Sequence, residues 1–318
     1  MHAKRFSAVF PDVGIGGQQG GFDLRFRQLD PGPQTNHGQF VIGKHISLIG
    51  MQYDRGFHQV GLSPQGFISF GVPIRGFRSW FNRTYAHDSL LPFNHETGLD
   101  GISLPGFQAI TFTVTKARIY EIAELCHAPM PDYFERPTDS SIVRDSAATQ
   151  AFRQMLTKVV FDGSMPFDEE MQDELIVSLL RAALSDSGIE DKSQPVTRSR
   201  ATSAALALIR EDQTRSLTVR EICAKTGVSW ATLERAFKER FGYGPKAYLI
   251  RQRLSAARKE FLKGHPDTGI TETAGKNGFW HMGQFSKDYK KHFGELPSDT
   301  LRWGTKNRGK FGSLIGPP

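Results

Sequence analysis

GFWHMGQFSKDYKKHFGELPSDTLR occupies residues 278–302, and the fold of the C-terminal part of the chain can be inferred from it. It carries five aromatic residues, two histidines and four Lys or Arg residues. The spacing of four between Phe285, Tyr289 and Phe293 places their rings on one face of a helix. Most of the charged residues fall on the remaining face. The pattern therefore predicts a helix that buries one face and presents the other to something outside the fold.

A counterpart of this stretch lies upstream, in LTVREICAKTGVSWATLERAFKERFGYGPKAYL at residues 217–249. The aligned pairs are Val219 with Ile270, Cys223 with Ala274 and Gly227 with Gly278, 51 residues apart, and Leu233 with Phe285, Phe237 with Tyr289 and Phe241 with Phe293, 52 residues apart. The change from 51 to 52 indicates one extra residue in the second turn. The two stretches are therefore interpreted as an internal duplication.

Each copy has the pattern of a helix-turn-helix motif, in which Gly227 or Gly278 supplies a left-handed turn between two helices. Ser229 is predicted to cap the second helix of the first copy. A second helix of this kind enters the major groove of DNA, where its N-terminal residues meet base edges. Its outward face carries Ala231, Glu234, Arg235 and Lys238 in the first copy, and Met282, Gly283, Ser286, Lys287 and Lys290 in the second.

Residues 200–303 resemble the AraC/XylS transcription regulators in the repeated motif, in the joining helix at 245–264 and in the Gly-x-x-Pro after each second helix. GFWHMGQF (278–285) and PSDTLR (297–302) resemble most closely the subgroup that contains the ethanolamine-operon regulators. The resemblance implies a transcription activator that binds double-stranded DNA and contacts RNA polymerase. It also implies a barrel-like, cupin-like N-terminal domain that senses a small effector and forms a homodimer.

The resemblance also implies which residues contact DNA. Base contacts fall on Ala231, Glu234 and Arg235 in the first copy and on Met282, Gly283, Ser286 and Lys287 in the second. We expect Arg235 to pair with guanine, because a guanidinium matches the two acceptors on its edge; the alternative is a surface ion pair with Glu234. His281, Lys287 and Lys290 are expected at phosphates. Trp230 is either a packing lid or a phosphate contact.

The charge of the chain is divided unevenly. Residues 1–191 carry 16 basic and 22 acidic residues, a net charge of −6, whereas residues 192–318 carry 24 and 11, a net charge of +13. A C-terminal part this basic attracts a polyanion, because neutralised phosphates release counterions. The sequence shows no long apolar run and no secretory leader, and it has two cysteines, Cys126 and Cys223. These features predict a cytoplasmic protein without a membrane span.

The N-terminal half predicts a β-rich domain followed by helices, so the fold class is α+β. Strands are expected at 22–29, at 39–53 with a turn at Gly43 and Lys44, and at 56–62, 66–72 and 107–114. Helices are expected at 116–126, 150–161 and 167–184. The helix pair that follows the barrel packs on the barrel or forms a dimer contact. The predicted organisation is an effector and dimerisation domain at 1–185, a linker at 186–200, the DNA-binding domain at 201–305 and a loose tail at 306–318.

An excess of arginine over acidic residues in the first 85 residues points to an anionic effector, because guanidinium forks suit phosphate and flat rings suit a base. The candidate effector-binding residues are Arg25, Arg27, Arg55, Arg75, Arg78, Trp80 and Arg83. Cyclic di-GMP is one such effector. The alternatives are an amine-like metabolite, a DNA-binding protein without any ligand, or arginines that form only a solvated outer face.

The sequence contains no pattern that predicts a catalytic site, a metal site or a cofactor. The histidines at 37, 45, 58, 87 and 95 form no ligand spacing and are expected to be structural. Cys126 is expected to be a packed thiol. A repair enzyme that uses Cys126 as an acceptor is the enzymatic alternative, but it needs an activated thiolate, and no basic cluster adjoins Cys126 in sequence.

Overall fold

The structure is a computed structural model that describes residues 3–16, 21–81, 89–96, 98–135, 146–184, 197–212, 217–265 and 267–308. The described residues form two compact units. The first contains residues 3–26 and 34–184, and the second contains residues 27–33 and 197–308.

The first unit is built on a curled sheet of eight strands. The strands are β1 (Lys4–Phe10), β2 (Asp23–Gln28), β3 (Asn36–Ile42), β4 (Ile46–Tyr53), β5 (Phe57–Leu62), β6 (Phe67–Trp80), β7 (Leu91–Phe93) and β8 (Leu99–Thr115). The long strand β8 pairs antiparallel with β6 on one side and with both β4 and β5 on the other. The register of β6 against β8 shifts repeatedly between Pro73 and Ser79, and such bulges bend a sheet.

Helices cover one face of this sheet. They are α1 (Val13–Gly16), α2 (Lys116–Leu125), α3 (Asp132–Glu135), α4 (Ala147–Thr157), which continues as a π-helical turn (Lys158–Asp162), and α5 (Glu169–Leu184). The apolar stripe of α5, which includes Leu175, Ile176 and Leu179, is buried in one core cluster with Phe70 and Phe112 of the sheet. Packing on the barrel is therefore confirmed for the predicted helix pair, and a dimer contact through other residues of the pair stays a prediction.

The second unit is helical. Its helices are α6 (Thr197–Glu211), α7 (Val219–Thr226), α8 (Trp230–Phe241), α9 (Pro245–Lys263), α10 (Ile270–Lys276), α11 (Met282–Phe293) and α12 (Pro297–Lys306). No described helix in either unit is long and apolar enough to cross a membrane.

The α+β fold class, with a β-barrel-like first domain and two helix-turn-helix motifs, is confirmed. Strands β1 and β7 were not predicted, and β6 and β8 extend beyond the predicted strands. Residues 197–200 belong to α6, so the predicted linker is too long at its end, and residues 186–196 lie outside the described residues. In the predicted tail, Lys306 ends α12 and residues 309–318 lie outside the described residues.

Candidate nucleic-acid interface and ligand cavity

The first helix-turn-helix motif consists of α7 and α8. Thr218 and Glu221 form a reciprocal capping box at the start of α7, and Gly227 adopts φ +67° where α7 ends. The Thr232 amide then donates to Ser229 Oγ at 3.2 Å, which confirms the predicted cap of α8. Cys223 is half-buried, whereas Ala274, its counterpart in the second copy, is buried.

The buried face of α8 holds the motif together. Leu233, Phe237 and Phe241 are buried, and the Phe237 ring lies 5.2 Å from that of Tyr248 on α9, centroid to centroid. The spacing of four therefore predicted the core face correctly. Since the rings fix the rotation of α8, they also fix which residues face solvent.

The second motif consists of α10 and α11 and repeats the arrangement. Gly278 adopts φ +77°, and Phe285, Tyr289 and Phe293 are buried in a cluster with Phe261 of α9. The extra residue of the second turn changes the cap, because His281 precedes α11 and its side chain makes no capping hydrogen bond.

Four predicted residues lie along the outward face of α8. Ala231, Arg235 and Lys238 are exposed, and the guanidinium of Arg235 makes no hydrogen bond or ion pair with any described residue. Glu234 is half-buried and pairs with Lys238 at 3.2 Å, so the alternative of an Arg235–Glu234 pair is wrong. The Glu234 carboxylate also lies against Gly244, the residue that precedes α9, so this side chain points towards the start of α9.

The outward face of α11 differs from the prediction at its start. His281, Gly283, Lys287 and Lys290 are exposed as expected. Met282 instead packs against the core cluster of this motif, so its predicted outward orientation is wrong. Ser286 is half-buried, which leaves the exposed lysines as the long polar side chains among the predicted residues of α11.

The joining helix α9 is tied to the second motif through a buried cation. Arg258 Nη1 donates to Glu295 Oε1 at 2.6 Å, and its guanidinium lies 4.6 Å from the centroid of the Phe293 ring. Thr300 donates to the same Glu295 oxygen at 2.6 Å and accepts from the Tyr289 hydroxyl at 2.9 Å. This network satisfies the buried charge, which would otherwise be costly.

Residues 27–33 pack with the helices of the second unit, although more than 160 residues of sequence separate this segment from the first of those helices. The Gln28 side-chain amide donates to Asp30 O and Gly32 O at 2.8 Å and to His292 O at 3.1 Å. The Gly32 amide donates to the same His292 carbonyl at 2.9 Å. The last residue of the segment, Pro33, packs against Gly294 at the end of α11. No pattern in the sequence predicted this placement.

The same segment places one of the predicted effector residues elsewhere. The Arg27 guanidinium lies 4.3 Å from the centroid of the Tyr248 ring and donates to its hydroxyl, so Arg27 is held in the helical unit. Arg251 of α9 donates to the Leu29 carbonyl and lies over the Tyr243 ring, 3.7 Å from its centroid. These two cations are used within the fold and are not free for a ligand.

Residues 222–302, which span both motifs, match a protein-family model described as "Helix-turn-helix domain". The chain also resembles "Probable thc operon regulatory protein" of Rhodococcus erythropolis, with 39% identity over 87 residues, and "XylDLEGF operon transcriptional activator 1" of Pseudomonas putida, with 33% identity over 95 residues. Residues 222–302 form an AraC/XylS-type DNA-binding domain.

The similarity to these two relatives covers only part of each protein. It covers 27% of this chain and 26% of the Rhodococcus protein, and 30% of this chain and 29% of the Pseudomonas protein. Both relatives are named as regulators of operons. The prediction that the AraC/XylS-type domain belongs to a regulator and not to an enzyme is therefore confirmed.

Two solved structures are also similar to this chain. A probable AraC family transcriptional regulator from Rhodopseudomonas palustris is 33% identical, and the match covers 33% of this chain and 97% of that chain with a TM-score of 0.31. ToxT from Vibrio cholerae is 13% identical, and the match covers 96% of this chain and 100% of that chain with a TM-score of 0.32.

Outside the AraC/XylS-type domain, the first unit contains a cavity of about 750 Å³, counting the part open to solvent. It lies within the curled sheet and is lined by Phe22, Leu24, Ile49, Met51, Tyr53, Gln59, Gly71, Val72, Pro73, Phe77, Trp80, Leu91, Phe93, Leu99, Gly101, Phe107, Ala109 and Thr111. None of these described lining residues carries a charge at neutral pH.

Few polar groups face this cavity. Trp80 is buried, and its indole Nε1 has no hydrogen-bond partner among the described residues. Burial raises the pKa of the Tyr53 hydroxyl, which therefore remains protonated and able to donate. Gln59 and Thr111 supply the other polar side chains.

Of the seven predicted effector residues, Trp80 alone is among the described residues that line the cavity. Leu24 of strand β2 and Phe22, just before this strand, both line the cavity. Four of the predicted arginines do not line it: Arg25 and Arg75 are exposed, and Arg55 and Arg78 are half-buried. Arg83 lies outside the described residues. The described arginines of the prediction therefore do not line this cavity, and their role in binding an effector stays a prediction.

The remaining candidates from the sequence have structural environments. His58 Nε2 lies 2.8 Å from Asp100 Oδ1 in the buried interior, as expected for a structural histidine. Cys126, expected to be packed, is exposed at the end of α2. Among the residues that the structure describes, no group of three His, Cys, Asp or Glu side chains could hold a metal ion.

Proposed function

We propose that this chain is a sequence-specific transcription regulator, an activator, whose DNA binding is controlled by a small effector in the first unit. The observation that supports DNA binding most directly is the exposed, uncompensated Arg235 on α8, together with Lys287 and Lys290 on α11. Each helix starts after a glycine turn and keeps its aromatic face buried, so its cations point outward. Homodimerisation, contact with RNA polymerase and a cytoplasmic location remain untested predictions that accompany this proposal.

Two substitutions test the assignment of the recognition helices. Arg235→Ala should relax the sequence preference at one base pair, because it removes a bidentate base contact. Lys287→Ala should weaken binding to all DNA sequences alike and lower the salt slope by about one. Lys306→Ala, on α12 of the same unit, makes the same change of charge and is the matched control.

The measurement is a selection of bound sequences from a random pool, followed by titrations at several salt concentrations. The proposal is contradicted if wild-type protein selects no sequence. It is also contradicted if Arg235→Ala and Lys306→Ala select the same sequences as the wild type with the same affinity.

The cavity favours an effector that is small, uncharged over most of its surface and aromatic. Its lining is aromatic and aliphatic, and its polar side chains include those of Tyr53, Gln59 and Thr111. A dinucleotide needs cations for its phosphates, and an amine needs a carboxylate or an aromatic cage. Since no charged residue is among the described lining residues, cyclic di-GMP is the weaker candidate for this cavity, and an amine would depend on the aromatic rings alone.

A thermal-shift screen of the full chain tests the effector class. The panel contains small neutral aromatic compounds, aromatic acids, cyclic di-GMP and small amines, since a ligand that binds the folded state raises the melting temperature. We expect a shift with an aromatic compound that Trp80→Phe reduces, because Trp80 lines the cavity and a smaller ring makes less contact with the ligand. Arg75→Ala is the control for the arginine-based alternative.

A shift with cyclic di-GMP that Arg75→Ala abolishes would instead support the anionic effector. If no compound shifts the melting temperature and none changes the affinity for DNA, the chain is a DNA-binding protein without a ligand.

A further inference from the structure

Two tryptophans stand out among the large hydrophobic residues because they are exposed close to the start of the second helix of each motif. Trp280 is 82% exposed and Trp230 is 52% exposed. Trp230 is the first residue of α8, and Trp280 directly precedes the cap residue of α11. Leaving an indole in water forgoes a large part of the burial energy that a ring can contribute.

The exposure of Trp280 follows from the turn before α11. Phe279 points inward, and its ring lies 4.9 Å from that of Phe285, centroid to centroid. The Phe279 amide also donates to Ala274 O at 2.9 Å, which anchors the turn. With Phe279 fixed in the core, the next residue is left outside, and the extra residue in this turn is what makes room for it.

The start of α11 otherwise has few side chains able to reach a base. Met282 packs on the core, and Gly283 has no side chain, with open space where a Cβ would stand. The N-terminal residues of a recognition helix are the ones that meet base edges in the major groove. Trp280 is therefore the large exposed side chain at the place where this helix should read DNA.

The surroundings of Trp280 identify the partner by charge. His281, Lys287 and Lys290 are exposed in the same motif, and residues 192–318 carry a net charge of +13. Covering these groups with an apolar protein surface would cost the desolvation of the cations, whereas duplex DNA pairs them with phosphates. Within the major groove, the apolar group available to an indole is the C5-methyl group of thymine.

We propose that Trp280 is a specificity-determining residue of the second motif, which contacts a thymine methyl group in the major groove. This assignment rests on the proposed DNA-binding function. It gives the second motif an apolar base contact in place of the polar contacts that Met282 and Gly283 cannot make. Trp230 occupies the corresponding region of the first motif and is the natural comparison.

Replacement of single thymines by uracil tests this proposal, because it removes only the methyl group. The full chain is titrated against its selected site and against a series of sites with one uracil each. For wild-type protein, one position in the part of the site bound by the second motif should lose about fourfold in affinity, the effect of one buried methyl group. Trp280→Ala should bind the unmodified site more weakly and should not distinguish thymine from uracil at that position.

Two further variants keep the result interpretable. Trp280→Phe should retain part of the discrimination, since it keeps an apolar ring. Leu125→Ala removes another exposed hydrophobic residue, 69% exposed at the end of α2, and should bind every site as the wild type does. Because Trp280 is so exposed, the melting temperature of all variants should stay close to that of the wild type.

The outcomes separate this inference from the function on which it rests. If the wild type binds no specific site, the proposed function fails first. If the wild type binds its site and Trp280→Ala shows the same affinity and the same uracil pattern, Trp280 reads no base and this inference is overturned. A loss of affinity in Trp280→Ala that leaves the uracil pattern unchanged would assign Trp280 to the DNA backbone and would also overturn it.

Discussion

Acidification should destabilise the helical unit through His292, the last residue but one of α11. The side chain is 5% exposed, and its ring lies 4.7 Å from that of Phe293, centroid to centroid. Burial, helped by the nearby cations Arg251 and Arg258, lowers the pKa of His292 from 6.5 to about 3, although a hydrogen bond with the Gln28 backbone opposes the shift. The neutral imidazole is therefore the form that the fold accepts.

The direction of the effect follows from proton uptake. Because the pKa in the folded state lies below that in the unfolded state, the unfolded chain binds a proton at His292 as the pH falls through 6.5, and the folded chain does not. The stability is thus fully present above that pH and is lost as the pH falls towards 3. At about pH 5 the loss is about 2 kcal/mol, since each pH unit below the unfolded pKa contributes about 1.4 kcal/mol.

Urea unfolding followed by circular dichroism at about pH 7 and about pH 5 measures this loss. Other groups also titrate in this interval, so the comparison is with His292→Phe, which keeps a planar ring and cannot take up a proton. We expect the wild type to lose about 2 kcal/mol more than the variant over this interval. Equal losses in the two proteins would refute the reasoning, whatever the stability of the variant at neutral pH.

Three substitutions in the same unit should each lower the free energy of unfolding for a different physical reason, and urea unfolding measures each loss. Gly264→Ala should lower the free energy of unfolding by about 3 kcal/mol or more, because a Cβ at its φ of +60° would overlap backbone atoms of Gly304. Gly227→Ala is the control, because Gly227 has a similar φ of +67° but open space around it, and it should lower the free energy of unfolding by about 1 kcal/mol. Glu295→Ala should cost about 2–3 kcal/mol by leaving Arg258 without its carboxylate, and a cost near zero would show that water replaces it. Phe285→Ala should cost about 3–5 kcal/mol through a core cavity, and a smaller value would mean that the second motif collapses around the missing ring.

Part of this protein could be predicted from local pattern alone. Rings four residues apart in 233–241 and 285–293 fixed the buried faces of α8 and α11, because helical periodicity is a property of the chain itself. Gly227 and Gly278 fixed the turns, since few other residues tolerate a left-handed backbone. The duplication then established that the two motifs form one type of domain.

The outward faces were predicted less completely. Arg235, Lys287 and Lys290 are exposed as expected, but the start of α11 departs from the first copy. The extra residue in the turn allows Met282 to reach the core, and it places Trp280 outside. Such a rotation depends on how the turn packs, which no spacing rule expresses.

Which groups share a surface or a cavity is a property of the folded chain. The alternation of β2 defined an apolar face and an arginine face, but the sequence could not say which face lines the interior of the sheet, because both follow the same period. Likewise, residues 27–33 pack with helices more than two hundred positions away, held by the Gln28 amide and by His292. Local periodicity is encoded in neighbouring residues, whereas these arrangements arise from contacts between residues far apart in the chain, and they appear only when the chain has folded.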